Sequence, residues 1–324
     1  MPNRITGSAN ARIALVLPLE STIYGRAADA VKAGFLVAAE AAQEKTLVIG
    51  HADGGVVEAF AKAIAGGAGI IVGPLVRDDL KTIAGLSVEL PWTLALNQLE
   101  DGAPLPLRMY TLTLAIENDA RQLARVARDH NAQAIGIITS DAPLQKRFAS
   151  AFAAEWILLG GGPPAFLRFE RTPEMLGVLK RELGRMPLDA ALLALDAGDV
   201  ALVKPYIGQI PAYTSGQVND RQSREILRDL DDVRFVEIPW LADPGARAFE
   251  KLPRGDFRNA SLDRLYALGI DAFRVAQAFR DGPPSRLEFD GATGHVSLDG
   301  SNQFVRDGRL MRFDAGQIVP ADGQ

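Results

Sequence analysis

The side chains that could carry out chemistry in this sequence include three histidines but no cysteine. His51, His130 and His295 lie on different predicted elements, and no two of them have the i, i+4 or short-loop spacing of a metal site. We interpret them as surface or turn histidines. The lack of cysteine excludes disulfides, thiol chemistry and Cys-ligated zinc, but it does not decide the cellular compartment. We expect no metal and no cofactor.

Nucleophilic catalysis has no recognisable motif in the chain. No Gly-x-Ser-x-Gly elbow follows a predicted strand. The spacing of these residues along the sequence does not exclude a Ser-His-Asp triad, because the members of a triad come together only in the folded structure. Asp231-Asp232 is more typical of a solvated turn at a helix end than of an acid–base pair. We expect that the protein is not an enzyme. An enzyme that uses a cleft between two lobes is an alternative, but it is the function that we favour least.

The glycine-rich stretches do not predict a nucleotide site. Gly66-Gly67-Ala68-Gly69 precedes a predicted strand and Gly160-Gly161-Gly162 ends a predicted helix, so both are interpreted as helix stops. Ile71–Leu75 does follow a strand, but Asp78 and Asp79 come next and would oppose a phosphate. The formal charge of −5, with no basic cluster, also argues against nucleic acid as a partner.

Polar side chains follow the ends of several predicted strands. In a two-lobe α/β protein these turns would line the cleft between the lobes and form a polar site for a small ligand. Taken singly, each such residue is more typical of a turn or helix N-cap. The ligand-site candidates are Glu20, Ser21, Thr22, Tyr24, Pro74, Leu75, Arg77, Asn97, Gln98, Ser140, Asp141, Thr214 and Ser215.

Alternating strands and helices position these turns. Ile13–Leu17 is a continuous apolar run, typical of a strand buried on both faces of a parallel sheet, and apolar residues at helical spacing follow from Tyr24 to Glu44. The unit then repeats. Further strands are predicted at 46–51, 69–72, 92–96, 134–139, 165–169, 191–195, 211–215 and 233–238, and helices at 56–65, 77–86, 118–130, 143–159, 173–185, 199–207 and 221–230. Residues 108–114 are interpreted as one more strand or a crossing segment.

The pattern changes after Trp240. Residues 241–259 are rich in Pro, Gly, Asp and Arg, which predicts a surface loop, and Ser261 is the predicted cap of a long helix. Short strands at 295–298 and 309–313 follow, with Asp-Gly turns at Asp299-Gly300 and Asp307-Gly308.

The fold class predicted from this order is α/β, with two doubly wound Rossmann-like lobes, a cleft and a multi-strand hinge. We assign residues 11–115 and about 241–284 to the N-terminal lobe. The C-terminal lobe takes residues 116–240 and about 285–320, including the hinge and tail strands, and residues 1–10 are predicted to be a disordered leader.

The two-lobe α/β pattern resembles the type I periplasmic binding-protein fold. A more specific set of segments recurs in order along nearly the whole chain, at 13–19, 24–26, 72–75, 94–98, 151–156, 203–205, 237–239, 265–272, 291–294 and 316–320. These segments resemble the C-terminal domain of the LpoA-type penicillin-binding protein activators.

This resemblance implies a non-catalytic periplasmic protein that stimulates peptidoglycan synthesis by contacting a class A penicillin-binding protein. It also implies tethering to the inner leaflet of the outer membrane, through an N-terminal lipid anchor that lies outside this chain. Amino-acid-binding relatives hold the ligand carboxylate with Ser or Thr after the third strand. This chain has Arg77 and Asp78 there, so we do not expect that mode of binding.

Two further expectations stay open at the level of sequence. Met1–Asn10 is polar and lacks the apolar core of a secretory signal, which fits either a cytoplasmic protein or a mature fragment. The alternative function is a solute-binding protein or sensor domain that closes on a small polar ligand, such as an amino acid or a cell-wall peptide fragment.

Overall fold

A computed structural model describes residues 12–99, 103–219, 228–282 and 286–321. The predicted leader at 1–10, and residues 221–227 of the helix predicted at 221–230, lie outside the described residues. The chain divides into two compact units. Unit 1 comprises the described residues of Met1–Ala115 and Asp243–Arg306, and unit 2 those of Ile116–Ala242 and Asp307–Gln324.

The bounds of the elements are as follows. The described strands are β1 Arg12–Leu17, β2 Leu47–Gly50, β3 Ala68–Val72, β4 Trp92–Ala95, β5 Met109–Leu112, β6 Ile135–Thr139, β7 Ala165–Arg168, β8 Ala190–Ala194, β9 Ala212–Thr214, β10 Val233–Glu237, β11 Glu288–Asp290, β12 His295–Leu298, β13 Gln303–Asp307, β14 Arg309–Asp314 and β15 Gln317–Pro320. The described α-helices are α1 Gly25–Ala41, α2 Val56–Ala65, α3 Arg77–Ala84, α4 Ile116–Asp129, α5 Pro143–Leu158, α6 Pro173–Leu183, α7 Ala197–Ile207, α8 Pro239–Ala242 and α9 Ala260–Ala278.

Each unit is built on one largely parallel sheet. The sheet of unit 1 has the order β11-β12-β13-β5-β4-β3-β1-β2, and β1 pairs in parallel with both β2 and β3. The sheet of unit 2 has the order β15-β14-β10-β9-β8-β6-β7, in which β6 pairs in parallel with β7 and β8. The prediction of an α/β fold with two doubly wound sheets is confirmed.

Apolar strands form where both faces of a sheet are covered. In β8 all five residues are buried, with Ala190 and Leu192 in one core cluster and Ala191 and Leu193 in another. Side chains alternate between the two faces of a strand, so a continuous apolar run is the pattern required here. The cluster that contains Leu192 packs under α4 and α5, where Phe148 and Trp156 are fully buried.

Two glycines allow α1 and α9 to cross at close range in unit 1. A Cβ atom at Gly34 would lie 1.9 Å from the carbonyl oxygen of Tyr266, and one at Gly269 would lie 2.1 Å from the carbonyl oxygen of Val31. Real Cβ atoms do not approach backbone oxygens so closely, so only glycine fits at either position. The late helix α9 is therefore part of the core of unit 1.

A buried carboxylate joins α9 to the turn between β11 and β12. Asp271 accepts hydrogen bonds from the backbone N–H groups of Ala292 (2.9 Å) and Thr293 (2.7 Å), and from Thr293 Oγ1 (2.7 Å). Burial raises the pKa of Asp271, while the bonds from Thr293 and Ala292 and the charge of Arg274 oppose that shift. The segments 265–272 and 291–294, separate in the sequence, thus form one structural motif.

The C-terminal part differs most from the sequence-based expectation. Residues 286–306, expected in the second lobe, belong to unit 1, because β13 pairs in parallel with β5. The Asp307-Gly308 turn was expected to separate neighbouring strands. Instead β13 lies in the sheet of unit 1 and β14 pairs with β10 of unit 2, so the chain changes units there.

Smaller differences concern caps and short strands. The cap of α9 is Asn259, whose side chain accepts from the N–H of Leu262 at 2.9 Å, and Ser261 lies inside the helix. The predicted loop at 241–259 contains the end of α8 and a 3₁₀ turn at Arg247–Phe249. Strands β11, β13 and β15 were not predicted, because their residues are short runs of mixed polarity.

Candidate functional site

The predicted site residues of unit 1 follow neighbouring strands of one sheet. Glu20, Ser21, Thr22 and Tyr24 lie after β1, and the candidates at 74–77 and 97–98 lie after β3 and β4, which are adjacent in the order β4-β3-β1. The structure therefore brings these candidates together at the carboxyl edge of the sheet of unit 1. This is the edge where open α/β sheets bind ligands.

The turn after β1 is shaped by Ser21. Its buried Oγ accepts hydrogen bonds from the N–H groups of Ile23 (3.2 Å) and Tyr24 (3.0 Å), so this hydroxyl orders the approach to α1. Glu20 and Thr22 are exposed, and Ile23 is 74% exposed. Their side chains leave this edge open to a ligand or a protein surface.

The turn after β3 is packed against β1. Gly73 has φ 119°, and a Cβ atom there would lie 2.1 Å from the carbonyl oxygen of Val16, so this position requires glycine. Pro74 follows through a cis peptide bond and is buried, as is Leu75. Arg77 begins α3 and is half-buried.

Asn97 fastens the turn after β4 to the turn after β3. Its Nδ2 donates to the carbonyl oxygen of Leu75 at 2.9 Å, and its Oδ1 accepts from the N–H of Gln98 at 2.9 Å. Both hydrogen bonds are internal to the edge. Asn97 is therefore a positioning residue for the two turns.

A buried His–Asp pair lies next to these turns and was not predicted. His51 follows β2, is 5% exposed, and shares a hydrogen bond between its Nδ1 and the carbonyl oxygen of Ala52. Its Nε2 lies 4.0 Å from Asp79 Oδ2 and has no hydrogen-bond partner among the described residues. Burial raises the pKa of Asp79, and His51 opposes that shift. The interpretation of His51 as a surface or turn histidine is wrong in respect of its burial.

Candidate residues of unit 2 have different roles from one another. Asp141 is exposed and accepts from Lys146 Nζ at 2.7 Å, while Arg168 contacts its other oxygen, so that chiefly the Lys146 hydrogen bond lowers the pKa of Asp141. Thr214 is fully buried and its Oγ1 donates to the carbonyl oxygen of Leu193 at 2.8 Å, which makes it part of the sheet. Ser140 is half-buried at the end of β6.

Three buried side-chain oxygen atoms of unit 2 have no hydrogen-bond partner among the described residues, and each belongs to a residue near the carboxyl edge of its sheet. These residues are Ser215, a predicted candidate, with Glu117 at the start of α4 and Gln145 at the start of α5. Sequence reasoning missed Glu117 and Gln145, because a polar residue in the first turn of an amphipathic helix is normally solvated. No pattern in the sequence distinguishes them from such residues.

Across the described ranges, no group of three or more His, Asp or Glu side chains could hold a metal ion. His130 instead shares a hydrogen bond with the Tyr213 hydroxyl at 3.0 Å, and His295 lies between Asp290 and Glu288. Over the same part of the chain, no helix is both long and apolar enough to cross a membrane.

Comparison with protein families gives a match over almost the whole chain. The family model described as "LppC putative lipoprotein" matches residues 5–316. The chain belongs to the LppC family. Curated relatives of this LppC-family chain carry the name penicillin-binding protein activator LpoA. The protein of Escherichia coli O6:H1 is 26% identical over 301 residues, which is 79% of this chain and 44% of that protein. The protein of Enterobacter sp. strain 638 is 28% identical, over 79% and 41% of the two chains.

Solved structures give the same fold. The LpoA C-domain of Haemophilus influenzae, described as a regulator of PBP1A, superposes with a TM-score of 0.83 at 22% identity, and covers 96% of this chain and 99% of that one. A Chromobacterium violaceum protein described as "a putative branched-chain amino acid ABC transporter" gives 0.82 at 33% identity, over 93% and 99% of the two chains. The predicted resemblance to the LpoA C-terminal domain is confirmed.

The chain spans less than half the length of the curated relatives that it matches. Family membership and these relatives indicate an envelope-associated, periplasmic protein.

Proposed function

We propose that this LppC-family chain activates a class A penicillin-binding protein by direct contact and so promotes peptidoglycan synthesis in the periplasm. The observation that carries the proposal is the similarity, over 301 residues, to proteins named penicillin-binding protein activator LpoA. The fold match with the LpoA C-domain, a regulator of PBP1A, supports it.

The proposal needs no catalytic group in this chain. The polar side chains of the two sheet edges act in binding, and the protein works as a regulator rather than as an enzyme. We further propose that the full-length protein is tethered to the inner leaflet of the outer membrane by an N-terminal lipid, which the lipoprotein family supports.

The test uses the purified chain and the class A penicillin-binding proteins of the same organism. We expect the chain to bind one of them in a pull-down and to raise its rate of glycan polymerisation or peptide crosslinking on lipid II. A monofunctional class B penicillin-binding protein and heat-denatured chain are the controls. Absence of both binding and stimulation, with folded chain and active synthase, would refute the proposal.

The second candidate is a solute-binding protein or sensor domain for a small polar ligand, such as an amino acid or a cell-wall peptide. The 33% identity to the protein described as "a putative branched-chain amino acid ABC transporter" favours it. Its candidate ligand-binding residues are those that lie at the carboxyl edges of the two sheets. A ligand that binds the folded state raises the melting temperature, so a saturable shift with an amino acid or a muropeptide, without synthase activation, would support this candidate instead.

A further inference from the structure

Three buried oxygen atoms at the carboxyl edge of the sheet of unit 2 lack hydrogen-bond partners among the described residues. They are Glu117 Oε2, Gln145 Oε1 and Ser215 Oγ, in residues that are 8%, 5% and 1% exposed. A polar atom removed from water without a partner costs free energy, so native proteins supply it with water or a bound group. Three such atoms at one edge indicate a site for hydrogen-bond donors.

The fold places these residues at one edge of the sheet of unit 2, in a region that we call the corner. Glu117 is in the first turn of α4 and Gln145 in the first turn of α5, and Arg147 Nε lies 3.4 Å from Glu117 Oε1, which joins the two helix starts. Ser215 follows β9 directly in an extended conformation. Tyr213 packs in the core cluster under α4 and α5, and side chains two residues apart on a strand share a face, so Ser215 faces the same side.

The chemistry of the corner fits a primary ammonium group. An alkyl ammonium ion presents three N–H donors and carries a positive charge. The corner offers a carboxylate oxygen, an amide oxygen and a hydroxyl oxygen. The other oxygen of Glu117 is paired with Arg147, whose side chain is 45% exposed and thus screened by water. The charge of Lys146 is paired with Asp141, and Arg121 donates to the neutral amide oxygen of Asn118.

We propose that the corner formed by Glu117, Gln145 and Ser215 binds the primary ammonium group of a small amine. The site lies within unit 2 and does not depend on activation of a synthase. An α-amino acid and an alkyl amine are the two sources of this group.

The test is an NMR titration of ¹⁵N-labelled chain with methylammonium chloride. Tetramethylammonium chloride is the matched control, because it has the same charge but no N–H donor. We expect saturable shifts of the Gln145 side-chain amide and the Ser215 backbone amide with methylammonium alone. Alanine and cadaverine then show which of the two sources binds more tightly.

Two variants distinguish binding at the corner from a general effect of the charge of the protein. Glu117→Gln keeps the shape and removes the charge, so methylammonium affinity should fall about tenfold. Glu155→Gln is the control, because Glu155 also pairs with an arginine between α4 and α5, at 3.2 Å from Arg125. Equal shifts with tetramethylammonium, no saturable shift, or equal affinity in Glu117→Gln would overturn the proposal, and so would a crystal structure with methylammonium that shows only water at the corner.

Discussion

At the scale of single residues, Asp271 determines how the end of unit 1 is built. Its carboxylate is completely buried and receives donors from the backbone and the hydroxyl of one turn. Gly291 lies so close that a Cβ atom there would be 2.5 Å from Asp271 Oδ2. The Gly-Ala-Thr-Gly segment is therefore shaped around this carboxylate.

Replacing Asp271 by alanine should leave the N–H groups of Ala292 and Thr293 buried and unpaired. We expect Asp271→Ala to lower the free energy of unfolding by about 2–4 kcal/mol. Chemical denaturation monitored by circular dichroism measures this. Asp256→Ala is the control, because the Asp256 side chain is 81% exposed, and a comparable loss in that variant would contradict the assignment.

The imidazole of His295 lies between two carboxylates on the hairpin of β11 and β12. Its Nδ1 lies 2.9 Å from Asp290 Oδ1 and its Nε2 lies 3.1 Å from Glu288 Oε1. Chiefly the hydrogen bond with Asp290, then that with Glu288, raises the pKa of His295. The charged imidazole is therefore favoured in the folded state.

A raised histidine pKa stabilises the fold fully below the pKa of the unfolded chain, about 6.5, and this contribution is lost as the pH rises through the folded value. We expect the melting temperature of the wild type to exceed that of His295→Gln at about pH 6, with the difference shrinking towards about pH 9. Added salt should reduce the difference, because the side chain is 42% exposed. A difference that grows with pH would show that another group is responsible.

At the scale of elements, the crossing of α1 and α9 has no room for a side chain. Gly269→Ala should force the two helix backbones apart and cost about 3 kcal/mol of unfolding free energy. Gly177→Ala in α6 is the matched control, because a Cβ atom there meets nothing within 4 Å. That variant should gain about 0.5–1 kcal/mol from helix propensity. Thermal unfolding of both variants measures these changes in stability. Equal stability of the two variants would contradict the packing argument.

Elements with hydrophobic periodicity or with flanking turn signals were predictable from the sequence. The helix predicted at 56–65 and the strand predicted at 295–298 have the bounds that the structure gives to α2 and β12. β13 could not be predicted, because Gln303–Asp307 has only two apolar residues, which are adjacent rather than alternating, and the strand is held by its pairing with β5. Intrinsic strand propensity is a weak guide to structure where pairing with a strand that is distant in the sequence determines whether a segment becomes a strand.

The candidate site was predictable only in outline. Because parallel strands end at one edge of a sheet, the order β4-β3-β1 places the turns after these three strands side by side. The inward hydrogen bond of Thr214 and the burial of His51 depend on neighbours that are distant in sequence. The same holds for Glu117 and Gln145, which are buried at the starts of two helices that share one core cluster.

At the scale of the whole molecule, unit 2 depends on the last strands of the chain. β14 pairs antiparallel with β10, and Met311 and Phe313 are buried in the core of unit 2, where Phe313 stacks on Phe235 with ring centroids 5.0 Å apart. A chain that ends at Arg306 should therefore lose protection from hydrogen exchange in β8 and β10 while β1 keeps it. Mass spectrometry measures the exchange, with a chain that ends at Ala321 as the control. Unchanged exchange in β8 would show that unit 2 folds without β14.

The way in which the chain is divided between the two units also restricts which fragments of the gene can encode a single unit. Because α9 completes the packing of α1, and residues 243–306 follow the whole first segment of unit 2, no uninterrupted piece of the coding sequence specifies unit 1 alone. When the residues of α1 leave the ribosome during translation, the helix α9 that covers α1 has not yet been synthesised. The nascent protein must keep that apolar surface from aggregating until most of its translation is over.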